Sequence, residues 1–198
     1  MKRPAPTLLP LLRSPIQGEI IAWLFLHPDQ QTTIVSLARR LGTSAPTVMR
    51  EANRLRDAGL IIETRIGATR HIRADTDTVI FRSLADLMAV TYGPVPVLTE
   101  LLAPLTGIDE VLIYGSWAAR YHQHPGDVPN DIDVLVIGKP DPDDLFEAAQ
   151  VASERLGREV NVHRISKAAW QDPNGKDPFI TSVRERPQVA LDIAGRAA

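Results

Sequence analysis

The sequence predicts a mixed α/β (α+β) protein of two domains, and three observations carry that reading. Its 198 residues suffice for one domain or two small ones, each with a real core. The charge is lopsided: residues 1–74 hold eleven Lys and Arg against five Asp and Glu, a net +6, whereas 75–198 hold eleven against nineteen, a net −8. The patterning also changes, from helical spacings that end in a hairpin signal to short apolar strands alternating with helices. Only the basic half suits a polyanion by its overall field. With no cysteine, disulfides, thiolate metal sites and cysteine nucleophiles are excluded. No apolar stretch is long enough to span a bilayer, and Pro4, Pro6 and Pro10 replace the apolar core of a leader. The expectation is a cytoplasmic protein with no membrane partner.

In "SPIQGEIIAWLFLHP", Ile16, Ile20, Trp23 and Leu24 recur at helical spacing and Leu26 extends the stripe. Ser14 stands as N-cap, Pro15 at the first helical position and Pro28 past the end. "TTIVSLARRLG" gives a short second helix with Ile34, Leu37, Ala38 and Leu41 inward, closed by Gly42. "TSAPTVMREANRLRDAGLI" opens on a capping hydroxyl, Thr43 or Ser44, buries Val48, Ala52 and Leu55, and ends at Gly59. "LIIETRIGATRHIRA" is two alternating runs about a turn at Gly67, a β-hairpin.

Three helices, a short break between the second and third, and a basic hairpin make the order of a winged helix-turn-helix over residues 1–74. Such a module lays its third helix in the major groove of double-stranded DNA. With Val48, Ala52 and Leu55 inward, Thr47, Arg50 and Arg54 project outward and Ser44 marks the helix start. Arg50 and Arg54, one turn apart, can reach base edges or phosphates. Thr69 and Arg70 at the hairpin tip, flanked by Arg65 and Arg73, are placed for the adjacent backbone or minor groove. The bland alternative makes Arg50, Arg54 and Arg56 a solvated helix face; the ordered helices, the hairpin and the +6 charge outweigh it. Over about residues 14–74 the chain resembles winged-helix repressors of the ArsR and MarR type. That resemblance implies a DNA-binding transcription regulator working as a homodimer, with winged helices that bind only protein as the alternative.

Residues 75–107 read as a helical linker or dimerisation segment. Phe81, Leu84, Leu87 and Met88 form a stripe there that suits a domain junction, a dimer seam or a buried helix of the second domain.

From Glu110 the pattern changes. "EVLIYGS" is a strand, "WAARYH" begins a helix, "QHPGDVPN" is a loop and "DIDVLVIG" is a second strand. "PDDLFEAAQVASERLG" is an amphipathic helix, "REVNVHRIS" a third strand, and "DPFITSVRERPQVAL" a final helix with Pro187 at its end. Asp131 and Asp133, two apart on a strand, leave the same face with Cα atoms roughly 6–7 Å apart. Two hard oxygen ligands so spaced suit Mg²⁺, which keeps waters and takes further ligands from substrate phosphates. Gly115 lets backbone approach a phosphate, and Ser116 opens a helix whose N-terminus favours anions. Asp131 and Asp133 are therefore the candidate metal ligands and catalytic carboxylates, and Gly115 and Ser116 the candidate nucleotide-binding residues. The alternative is an ordinary strand-to-helix turn beside an exposed strand edge.

In the order strand, Gly-Ser, helix, loop, Asp-x-Asp strand, "YGSWAAR" and "DIDVLVIG" resemble the polymerase-beta-like nucleotidyltransferase superfamily, especially its minimal branch, over about residues 108–190. The resemblance implies a nucleotidyltransferase-like mixed sheet with flanking helices in 108–198, with NTP as ligand and Mg²⁺ as cofactor. Two positions depart from the family pattern. Arg120 stands where it has glycine, and Asn161 aligns with the third carboxylate that completes its two-metal site. Asparagine cannot accept a proton, and Glu159 is the acid left on that strand. The resulting expectation is a DNA-binding regulator whose second domain binds nucleotide and Mg²⁺ with impaired catalysis. The alternative is an active Mg²⁺-dependent enzyme moving a nucleotidyl group from NTP to a protein, RNA or small molecule, with a toxin–antitoxin setting as a third reading. His122, His124 and Asp127 fall in a Pro/Gly-rich loop and read as solvated residues rather than a metal site, and Trp117 as a packing residue.

Overall fold

This computed structural model describes residues 12–122, 124, 129–172 and 177–193. It is a mixed α/β fold with two sheets, and its compact units divide between Gly93 and Pro94. Among the described residues, no helix is long and apolar enough to cross a membrane.

In the first unit, α1 (Pro15–Leu26) starts where Ser14 accepts a hydrogen bond from the Gln17 amide. Its second half is apolar on all sides: Ile20, Leu24 and Phe25 are almost wholly buried, as suits a helix surrounded by other elements. β1 (Thr32–Thr33) is a two-residue strand absent from the sequence expectation. α2 (Ile34–Arg40) is capped by Thr33, and α3 (Ala45–Asp57) by Ser44, which resolves the choice of capping hydroxyl at that end. β2 (Ile61–Ile66) and β3 (Thr69–Ala74) form the expected hairpin. β1 pairs antiparallel with β3, so the sheet order is β1-β3-β2.

α4 (Phe81–Tyr92) closes this unit by packing on α1. Phe81 stacks with Phe25 at 5.5 Å between ring centroids, and Met88 is 1% exposed. The inward face is Phe81, Leu84, Ala85, Met88 and Tyr92. Leu87, placed in the same stripe from sequence, lies about 120° round the helix from Phe81 and is 43% exposed. Phe81, Leu84 and Met88 therefore fill a core within the unit and do not present a free seam. Tyr92 lies over Gly18 of α1, where any Cβ would strike the tyrosine hydroxyl.

The second unit begins with α5 (Pro94–Leu102). β4 (Ile108–Tyr114) runs into α6 (Gly115–Tyr121), and β5 (Asp131–Gly138) into α7 (Pro142–Leu156). β6 (Glu159–Ile165) follows, then α8 (Lys167–Gln171), α9 (Pro178–Glu185) and β7 (Val189–Ala190). The sheet order is β6-β5-β4-β7, with β5 and β6 parallel and the other pairs antiparallel. The parallel pair requires a crossover, which α7 supplies. Asp141 starts α7 by accepting from the Asp143 and Asp144 amides. One sheet face, with Val111, Ile113, Ile132, Val134 and Val136, packs with apolar residues of α5 and α7. The other, with Leu112, Leu135 and Ile137, packs with Val183, Phe179 and Trp170. β5 is thus buried on both faces beyond Asp133, which its unbroken apolar run requires. α8 and β7 were not expected from the sequence, and the expected final helix is the shorter α9.

Met88→Ala should lower stability by about 2–5 kcal/mol, the range for emptying a buried Met site. Leu87→Ala should change it by no more than about 0.5 kcal/mol, as at other exposed positions. Thermal melts of the two variants check the orientation of α4.

Candidate functional site

The first candidate surface is the outer side of α3 with the hairpin. Ser44 Oγ lies 2.8 Å from Thr47 Oγ1, and Arg50 donates to the same Thr47 oxygen at 3.3 Å. Arg50 is exposed and forms no ion pair among the described residues. Arg54, also exposed, donates to Glu51, whose side chain is 10% exposed and lies 3.7 Å from Arg13. Glu51 escapes a reading for outward cations, yet it sits with Val48, Ala52 and Leu55 on the inner side of the helix. A buried acid there needs a cation, and Arg54 supplies it.

At the hairpin, Thr69 is exposed at the tip and the Arg65 side chain is 74% exposed. Arg70 differs from the outward position expected of it: its side chain is 16% exposed. Arg70, Ile72 and Ala74 alternate onto one face of β3, and Ile72 and Ala74 are core. Arg70 Nη2 donates to Glu63 Oε2 at 2.5 Å and to Asn53 Oδ1 of α3 at 2.9 Å. Glu63 also receives Arg56 at 3.3 Å and lies 3.6 Å from Arg65. The hydrogen bond from Arg70 holds the Glu63 carboxyl below the ordinary glutamate range, with Arg56 adding to the effect against the cost of burial. Arg73 turns to the Ala74 carbonyl.

The second candidate is the start of β5. The register sets Asp133 opposite Tyr114 of β4 and Asn161 of β6, and Asp131 opposite Glu159. Asp131 and Asp133 are half-buried, and Asn161 Nδ2 donates to Asp131 Oδ2 at 3.2 Å. Gly115 has φ +73, and a Cβ there would strike the Asp133 carboxylate. The Gly-Ser turn and the acid pair are therefore neighbours in space, with Ser116 exposed in the first turn of α6. Burial, then the charge of Asp131, pushes the Asp133 carboxyl above its ordinary range, while Asn161 and His163 pull it back. Burial and the same two acids push the Tyr114 hydroxyl up. Phe179 packs on two rings of that sheet face, 4.7 Å from His163 and 5.6 Å from Tyr114 between ring centroids.

Tyr114, His163 and Phe179 went unmarked in the sequence, although strand alternation places Tyr114 and His163 on the acid face. Glu159 is exposed, and no set of three His, Asp or Glu side chains is arranged to hold a metal among the described residues. His122 Nε2 donates to the Gln188 carbonyl at 2.8 Å, whereas Asp127 lies outside the described residues. Trp117 packs on the sheet core.

No family model and no curated protein matches the chain. Among solved structures, the chain is similar to MepR, a transcription regulator of the Staphylococcus aureus multidrug efflux pump MepA, at 22% identity and a TM-score of 0.33. The match covers 39% of this chain and 56% of that one. At that level the functional reading rests on the residues described above.

Because the folded protein holds the Asp133 pKa up, its protonated form favours folding. The contribution is present below the unfolded pKa and is lost as pH rises through the folded one. Asp133→Asn should therefore raise the melting temperature at neutral pH, with the gain shrinking on acidification. Melts of both proteins between about pH 4 and 8 check the sign.

Proposed function

We propose that the chain is a DNA-binding transcription regulator whose first unit docks α3 in the major groove and runs its hairpin along the adjacent backbone. One observation carries the reading: on a helix capped by Ser44, Arg50 and Arg54 stand exposed one turn apart, beside a hairpin that exposes Arg65 and Thr69. Thr47 steadies Arg50 from below. A fixed guanidinium can donate two bonds to a guanine edge. A homodimer reading two half-sites fits this mode of binding, with its seam elsewhere than Phe81, Leu84 and Met88. Binding of the full-length chain to labelled duplex should weaken steeply as salt rises, and Arg50→Ala should lose about 1–3 kcal/mol. Fluorescence anisotropy measures both, and salt-independent or absent binding overturns the reading.

For the second unit we propose a pocket that binds NTP and Mg²⁺ without efficient turnover. Asp133, whose pKa is raised by burial and then by the charge of Asp131, forms with that neighbour a negative site that a hard divalent cation would relieve. Asp131 and Asp133 would hold the ion, which would neutralise triphosphate charge, with Gly115 and Ser116 beside the phosphates. The position opposite Asp133 carries an amide that donates to Asp131, so the set lacks a third acid and a proton acceptor there. The convergence of Gly115 on Asp133 also supports the second reading, an active nucleotidyltransferase. Incubation with labelled NTP and Mg²⁺ should show binding that Asp131→Ala abolishes, with no label transfer, and Asn161→Asp should add transfer. Transfer by the unaltered chain that depends on Asp131 and Asp133 establishes the active enzyme instead.

A further inference from the structure

We propose that Glu63 is the positioning residue of the DNA-contacting face, a resident anion standing in for a phosphate; this rests on the DNA-binding reading of the first unit. Its carboxylate, 13% exposed, receives Arg56 from α3 at 3.3 Å and Arg70 from β3 at 2.5 Å, with Arg65 of β2 at 3.6 Å. The third helix and both hairpin strands thus meet on one negative charge. Three guanidiniums around one carboxylate leave a surplus of positive charge, and Asp57 offsets only part of it, through Arg56 at 2.8 Å.

Charge-assisted pairs are strongest when bidentate, and buried donors are ordinarily satisfied. Among the described residues, Arg70 instead reaches Glu63 and Asn53 through Nη2 alone, and its buried Nε has no hydrogen-bond partner. Arg56 spends all three guanidinium nitrogens on carboxylates, Nε and Nη2 on Asp57 and Nη1 on Glu63, whereas Arg65, its side chain 74% exposed, meets Glu63 through Nε at 3.6 Å and stays open to solvent at its outer end. The arrangement converges the arginines before any polyanion arrives.

Two consequences follow for binding. Glu63 fixes the spacing of hairpin arginines relative to α3, which favours duplexes whose backbone matches that spacing. It also removes one charge from the face, which holds down affinity for duplex of arbitrary sequence. On docking, a phosphate takes the open side of Arg65, while Arg56 and Arg70 stay on Glu63 and keep the hairpin against α3.

The test uses the full-length chain, a labelled random-sequence duplex and the tightest fragment selected from a genomic pool, across a salt series. Glu63→Gln should bind random duplex several-fold more tightly and steepen the slope of log K against log salt by about 1. It should also narrow the preference for the selected fragment. Glu63→Asp, which keeps the charge, should return the slope to its original value. Arg65→Gln, at an exposed site where folding is not at risk, should reduce the slope by about 1 with the melting temperature unchanged. Weaker binding at an unchanged slope in Glu63→Gln would mark a purely structural role and overturn the proposal. If that variant does not fold, Arg65→Gln decides alone, and an unchanged slope there overturns it. Both results would leave DNA binding standing, whereas a parent chain without salt-sensitive binding removes the DNA-binding reading and this proposal together.

Discussion

Side chains on a strand alternate between faces, so a slip of one residue in pairing would send every side chain to the other side. Both candidate sites hang on that constraint. In the hairpin, pairing Ile61 with Ala74 and Glu63 with Ile72 puts Glu63, Arg65 and Arg70 on the face that carries the core residues. In the second sheet, pairing Asp133 with Tyr114 and with Asn161 places the acids, the phenol and the amide on one face. The apolar residues of each strand fix the register because they must be buried. The polar ones are carried to their places by that same register, at the strand ends where the core gives out.

This division explains what could be read in advance. The first three helices were legible because their ends are written in local chemistry: Ser14, Thr33 and Ser44 each accept from the amide three residues on. The long strands were legible from their apolar runs. β1 and β7, two residues each, have no periodicity to detect and exist only because a partner strand lies alongside. The inward turn of Arg70 was legible in principle from its spacing to Ile72 and Ala74, but a cation at a hairpin tip invites the opposite reading. Leu87 shows the converse, since an apolar residue near the right spacing was drawn into a stripe it does not join. The pairing of Gly115 with Asp133 was legible as a motif, whereas the ring packing of Phe179 depends on where α9 returns to the sheet.

Net charge is a blunt description of the basic half. Arg54 is tied to Glu51, Arg56 and Arg70 to Glu63, and Arg40 lies 4.0 Å above the Trp23 ring, which itself stacks on the buried His27. The long-range field still counts every charge. Short-range contact selects the few guanidiniums with an open side, and the acids determine which those are.

The steric tie between Gly115 and Asp133 also orders how this chain can drift. A side chain at 115 evicts the carboxylate from its place, so the glycine cannot be lost first without disturbing the acid. Loss of the acid first removes the obstruction, but the backbone at 115 still has φ +73, where an L side chain is strained. Glycine is therefore held by two separate demands and aspartate by neither of them. A lineage that abandons the acid would keep the glycine longer, because the backbone demand at 115 outlives the steric one.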